Sequence, residues 1–469
     1  MIEAFHLMEI ADKAVNLAVD LGANYVDVRI EKEFSTEIRL TNERFDSAVN
    51  GIDKGIGVRV LFNGAWGFSS TCSLNSKDVK NAVENAVKAA KATSIRIKER
   101  AVLAPVPIIE DKVETPVRES LAAVGIDEKM NLALKVSGVV RGYSHKIVSA
   151  NIRYEDRAGE KFVSSSEGIK VLMRPSLARL VIMAVAREGE KITSATEPFG
   201  LHGGFEVLDW EAIEELALIA AKRADGMLEA HPPPSGRFTV VVNPTLTGTF
   251  AHEAVGHASE ADLVVAGESI LQGKIGQKIG SECVTICDDS LYERRWGFSV
   301  YDDEGVQMQK KIIVDHGVLT AYILNREAAA KLNLTPNGGA RAQSYAFRPI
   351  VRMSDTYIVP GDSTFEELLE GIRHGVYVKG SRGGEVDPAK GTFQFNAEEA
   401  YLIKNGEITT PLLDVSLSGL TLETLSNIDA VAKDFELEPG RCGKEGQLVY
   451  AGTGGPHIRI RNAAVGGRA

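Results

Sequence analysis

Cysteine is scarce in this chain: there are four among 469 residues, Cys72, Cys283, Cys287 and Cys442. That is too few for the disulfide framework of a secreted protein and implies free thiols in a reducing compartment, where a lone cysteine is a buried hydrophobe or a ligand. Long apolar runs are missing too. Nowhere do about 18 apolar residues follow one another, so no membrane span is expected. The opening residues, MIEAFHLMEIADKAVNLAVDLG, lack the basic-then-apolar order of a secretion signal. Positive charge is in deficit: 53 Lys and Arg against 64 Asp and Glu leave a formal charge of -11. Such a field repels phosphates and argues against nucleic acid or an anionic membrane as partner. A phosphate-cradling glycine loop is absent as well, because Gly55, Gly57 and Gly64 in GIGVRVLFNG miss the G-x-G-x-x-G spacing and no helix follows directly. The expectation is a cytoplasmic protein with no nucleotide cofactor.

What the chain does carry is an α+β pattern. Ile10, Ala14, Leu17 and Ala18 fall on one helical stripe that ends at Gly22. YVDVRIEKE and STEIRLTNE alternate apolar with charged residues, GIGVRVLFNGAWGFSST is β-branched and aromatic, and Asn63-Gly64 marks a tight hairpin. The helix NSKDVKNAVENAVKAAKAT follows. The order then repeats, with helix DEKMNLALKVSGVVRGY, strands from Lys146 to Ser194, and helix LDWEAIEELALIAAKRADGMLEA. HPPPSG breaks the pattern, because three prolines cannot continue a helix. The expected division is an amino-terminal α/β domain of mixed helices and antiparallel strands, residues 1–230, and a carboxy-terminal, mainly antiparallel β domain, residues 231–469. In that second half, helical pattern is confined mainly to PTLTGTFAHEAVGHASEADLV, REAAAKLN, TFEELLEGI and SLSGLTLETLSNIDAVAKD.

The stretch FAHEAVGHASEAD holds His252, Glu253 and His257. In the H-E-x-x-H signature of zinc hydrolases the histidines stand four apart, on one helix face. Here they stand five apart, and at about 100° per residue their side chains diverge by roughly 140°. They are either bystanders or a metal pair on a distorted helix. The flanks Phe250, Ala251, Ala254, Val255 and Ala258 are small or apolar and predict buried surroundings, where ionisable groups need compensation. A π-type turn, at roughly 80° per residue, returns residues five apart toward one face, and Gly256 permits the widening. A distorted helix is therefore expected.

Two histidines leave a catalytic zinc site one protein ligand short. The candidates are Glu260, Asp262, Cys283, Cys287, His316, His374, Cys442 and His457. CVTIC reads as a strand with its cysteines roughly 13 Å apart, core residues unable to share an ion. Cys442 lies in EPGRCGKEGQ, which reads as a glycine-rich loop whose Arg441 and Lys444 favour the thiolate. On chemistry alone Cys442 and Glu260 are near equals.

At this point the sequence resembles a known family, the TldD/PmbA metalloproteases, and its TldD branch in particular. The resemblance is carried by GIGVRVLFNGAWGFSST, HEAVGHASEAD, NGGARAQSYAFRPIVRMSDTYI, GTFQFNAEEAYLIKNGEI, GRCGKEGQ and GGPHIRIRNAAVGG. It implies an amino-terminal α/β domain, a carboxy-terminal β domain, zinc held by His252, His257 and Cys442, and Glu253 as the catalytic glutamate. It also implies cleavage of unfolded or extended peptides, in peptide maturation or degradation, by a homodimer or a heterodimer with a PmbA (TldE)-type paralogue. With that ligand set, zinc would acidify a bound water from about 15.7 toward 7, and Glu253 would move its proton. Peptides would lie along a strand edge. Gly383, Gly384 and Gly391 either admit another backbone or make a hairpin, and Arg341 of NGGARAQSYAF either grips a carboxylate or lines a loop. The rival readings are a non-catalytic, metal-stabilised scaffold, a partner subunit of a protease complex, and a nucleic-acid-associated regulator.

Overall fold

The alternation in YVDVRIEKEFSTEIRLT becomes one strand, Tyr25–Thr41, in the computed structural model, which describes residues 2–467. This strand pairs antiparallel with Arg44–Phe62 on one side and Ile147–Ser165 on the other. Ala65–Thr71 continues the sheet beyond Arg44–Phe62, across a turn in which Asn63 and Gly64 both have positive φ. The other edge forks. The end of Ile147–Ser165 pairs with Lys170–Arg174 and its beginning with Ser176–Glu188; Glu110–Glu114 beyond the first and Lys191–His202 beyond the second bring the sheet to eight strands.

Alternate residues near both ends of Tyr25–Thr41 pack against helices. Val26, Val28 and Ile30, with Ile56, Val58 and Val60, meet the helices Ile2–Asp20 and Ser76–Ser94. Further along the same face, Ile38, Leu40, Ile152 and Leu180 meet Ile126–Gly142 and Trp210–Gly226. The repeated helix-strands-helix order thus appears as two helix pairs side by side on one sheet. Asn75 and Asp209 cap the second helix of each pair by accepting from Asp78 N and Ala212 N, which satisfies an otherwise orphaned first-turn donor.

Toward the Tyr25 end, the opposite, charged face of the sheet is not solvated. Asp27 and Arg29 are each 1 % exposed, because this face is a seam with the carboxy-terminal half. Arg59 lies 2.6 Å from Asp27 and 2.8 Å from Glu304. Arg29 donates to the carbonyls of Ser344 and Phe347, and Lys161 pairs with Asp303. Gly57 has no side chain because the Tyr345 carbonyl crosses where one would stand, 2.2 Å from an added Cβ.

The carboxy-terminal half has a nine-stranded and a six-stranded sheet. Between them runs a helical segment whose Leu246, Phe250, Ala254, Val255 and Ala258 share one core with Val240, Ile286, Ile358, Val378 and Val449. Two sequence expectations change here. SLSGLTLETLSNIDAVAKD is helical only over Thr421–Asn427, because Val415–Leu420 and Ile428–Val431 pair with Ile458–Gly467. EPGRCGKEGQ is no loop: Glu436–Lys444 and Gln447–Gly455 form a hairpin, which gives its backbone polar groups ladder partners. Among the described residues, no helix is long and apolar enough to cross a membrane.

Candidate metal centre

Asn243 starts the histidine-bearing helix by accepting from Leu246 N at 3.1 Å, with Pro244 next in line. The α-helix Pro244–Phe250 runs into a π-turn, Ala251–Gly256, where the His257 N–H donates to the His252 carbonyl. That is the widening the five-residue spacing predicts, and it brings the imidazoles together with ring centroids 5.3 Å apart and planes at 84°. Gly256 serves a different purpose from the one expected. Its φ of -57 is ordinary helix, so backbone freedom is not what it supplies. It supplies room, since an added Cβ would stand 2.1 Å from the sulfur of buried Met353.

Cys442 reaches the histidines from the strand Glu436–Lys444, at one edge of the six-stranded sheet. Its Sγ lies 3.5 Å from His257 Nε2, across a sequence separation of 185 residues. One donor atom from each of His252, His257 and Cys442 lies within 4.8 Å of the other two. Tetrahedral zinc with bonds of about 2.0–2.3 Å sets its donors roughly 3.3–3.8 Å apart, so a small inward movement would close this set. His252 Nδ1 is buried without a hydrogen-bond partner in the protein. Two imidazoles and a sulfur, almost removed from water, suit zinc better than calcium or magnesium, which require oxygen.

Burial pushes the Cys442 thiol up, but His252 and His257 outweigh it and bring it down to about 5. Arg441 and Lys444 are not the cause, contrary to the sequence reading. Arg441 pairs with Glu155 of the amino-terminal sheet. Lys444 reaches Asp262 at 2.7 Å, Glu260 at 3.1 Å and the Val351 carbonyl at 3.1 Å. Arg352, fully buried, donates to the carbonyls of Cys442 and Gln447 and so holds the hairpin from behind.

Glu260 sits on the far side of His257, its Oε2 2.9 Å from Nδ1. Burial raises its carboxyl, but His257 and Lys444 outweigh that and keep it below the usual range. A carboxylate accepts, so Nδ1 carries a hydrogen, and Nε2 is the ring nitrogen that faces Cys442. Glu253 lies on the near side, its Oε2 3.8 Å from His257 Nε2, and its side chain is 35 % exposed against 13 % for His257. The centre is thus open toward Glu253 and closed behind.

Of the remaining ligand candidates, none joins the cluster. Asp262 binds Lys444, while His316 and His374 are exposed. His457 bonds to Tyr377 and Asp434. Cys283 lies exposed ahead of the strand Ile286–Asp289, so it is not the core residue expected, whereas Cys287 is buried and pushed up to about 11 by burial. Arg341 lies on the short strand Ala340–Arg341 and not in a loop, and it donates to the Met353 carbonyl. Sequence reasoning missed the positions of Lys444 and Arg352. Reading GRCGK as extended would have put Lys444 on the same face as Cys442, two residues away.

A cavity of about 960 Å³ lies in the seam between the halves, lined by Glu197, Arg223, Thr245, Tyr377, Glu398 and Glu438 among others. It does not include the three donors, but it shares the strand that carries Cys442. Nearer the centre, the edge strand Gly384–Asp387 packs against the π-turn and pairs with Thr392–Asn396 on one side only. Gly391 turns that hairpin, its N–H donating to the Asp387 carbonyl at 2.7 Å.

Comparison with known proteins places this geometry in a lineage. Residues 26–90 match the PmbA/TldA metallopeptidase domain 1, residues 119–228 its central domain, and residues 235–467 its C-terminal domain. A metalloprotease of Methanothermobacter thermautotrophicus is 43% identical over 98% of this chain and 97% of its own. A zinc metalloprotease TldD homolog of Saccharolobus solfataricus is 33% identical over 97% and 99%. The crystal structure of TldE from Thermococcus kodakarensis shares the fold, with a TM-score of 0.80 at 19% identity over 98% of this chain and 100% of that one. With three domain matches along its length and full-length relatives named as metalloproteases, the chain belongs to the TldD/PmbA family of metallopeptidases.

Proposed function

We propose that the protein is a zinc-dependent peptidase for unfolded or extended peptides, with His252, His257 and Cys442 as ligands and Glu253 as general base. The observation that carries this reading is the convergence of three donor atoms within 4.8 Å, beside a half-buried glutamate. When bound, zinc supplies an acidified water and a Lewis acid for the scissile carbonyl. Glu253 lies on the open side, where its carboxylate would accept a proton from that water and return it to the leaving amine. Cys442 brings a negative charge that offsets part of the ion's. Its sulfur also makes the site open to oxidation.

The free edge of Gly384–Asp387 supports the substrate reading. An extended peptide that adds to such an edge is held by its main chain, so binding tolerates many sequences. We infer the same two-domain division as the sequence suggests, at residues 230 and 231, and a dimer, either of this chain with itself or with a TldE-type paralogue, acting in the cytoplasm. The solved TldE fold supports such a pairing.

The test is metal analysis of the purified protein combined with a peptidase assay on wild type, His252→Ala and Cys442→Ser. Both variants should lose zinc and activity together. Activity that survives loss of the metal would defeat the proposal, and normal cleavage by Glu253→Gln would favour a scaffold with a structural ion.

A further inference from the structure

The two segments that bring donors together come from distant parts of the chain, and something must set their relative register. Arg352 holds the Cys442 strand through carbonyls alone and makes no bond to the histidine helix. Lys444 bonds to both sides. It stands two residues beyond Cys442, on the same face of the strand, with a side chain 10% exposed. Its ammonium is 3.1 Å from Glu260 Oε2 and 2.7 and 2.8 Å from the two oxygens of Asp262. Those carboxylates follow His257 by three and five residues, and Glu260 Oε2 is also the atom that meets His257 Nδ1. One oxygen is thus shared between the imidazole of one donor segment and the cation of the other.

We propose that Lys444 is a positioning residue for the metal centre: set between Glu260 and Asp262, it locks the Cys442 strand to the His257 segment. It also fixes the carboxylate that orients the His257 ring. The inference deepens the zinc reading and rests on it for the identity of the ligands. Carboxylate partners of metal-bound histidines govern affinity as well as orientation, and here that partner is itself held by a residue beside another ligand. Loss of the cation would leave Glu260 charged, wholly buried and free to turn from the ring, while the Cys442 strand would keep its ladder and the bonds from Arg352 but lose its ion pairs to the His257 segment.

Zinc-stripped wild type, Lys444→Met and Lys444→Arg are titrated with zinc against a chromophoric chelator, and separately with cobalt(II), whose thiolate charge-transfer band reports the sulfur. Unfolding of the stripped proteins is followed in parallel. Lys444→Met should bind zinc about 10–100-fold more weakly and show a weaker or shifted band, with Lys444→Arg recovering much of the loss. Zinc affinity of Lys444→Met within about twofold of wild type, with an unchanged band, overturns the proposal. If Lys444→Met is not recovered folded, Asp262→Asn takes its place, since it releases one side of the cation; there too an affinity loss supports the proposal and unchanged affinity overturns it. Wild type that takes up cobalt with no thiolate band overturns the ligand assignment itself, and this inference with it, so the two failures are distinguishable.

Discussion

The main-chain N–H of His257 bonds to the carbonyl of His252, so the two imidazoles are tied by backbone before any ion joins them. Gly256 lies inside that tie, pressed against Met353. Gly256→Ala should destabilise the fold by about 1–3 kcal/mol through overpacking and weaken metal binding as the turn shifts. Urea unfolding checks the first and chelator competition the second. Adding Met353→Ala should relieve part of the loss, and a double variant no better than the sum of the singles would refute the steric account.

Glu253 stands on the open side of the centre and belongs to none of the donor pairs. Glu253→Gln should lower kcat by about 10²–10⁴ while zinc content stays at the wild-type level. A fall in both together would instead make Glu253 part of the metal's own hold.

Arg59 is shared by Asp27 and Glu304 across the seam, with side chains 7%, 1% and 0% exposed. Arg59→Leu would leave two buried carboxylates without their cation, at a cost of about 3–5 kcal/mol. Denaturant unfolding should show the loss, and adding Asp27→Asn and Glu304→Gln should recover most of it.

Burial lowers His202 to about 4 from its ordinary 6.5. The unfolded chain therefore takes up a proton near pH 6.5 that the folded chain refuses until about pH 4. Stability from this residue is complete above pH 6.5 and is lost as pH falls toward 4, by about 3 kcal/mol. His202→Phe should flatten this part of the stability curve between pH 6.5 and 4, while an unchanged slope would assign it to other groups.

Periodicity made the helices and long strands legible, since Val26, Val28 and Ile30 alternate with Asp27, Arg29 and Glu31 whatever the tertiary structure. It could not say what covers the charged face, because that depends on Glu304 and Ser344, some 300 residues away. The wide turn followed from the five-residue gap, but the reason for Gly256 did not, since Met353 is invisible from position 256. The hairpin around Cys442 was obscured by Gly440, Gly443 and Gly446, which read locally as loop although the ladder with Gln447–Gly455 outweighs that tendency. Thr421–Asn427 shows the reverse, a helical pattern shortened by strand pairing on both sides.

The sulfur comes 185 residues after the second imidazole, and that order has a consequence during synthesis. A ribosome making this protein exposes both histidines long before the cysteine exists, so a chain released before residue 442 lacks a complete donor set. On the reading proposed here, hydrolytic power arrives only with the strand Glu436–Lys444, and products released before it are born unable to cut their neighbours.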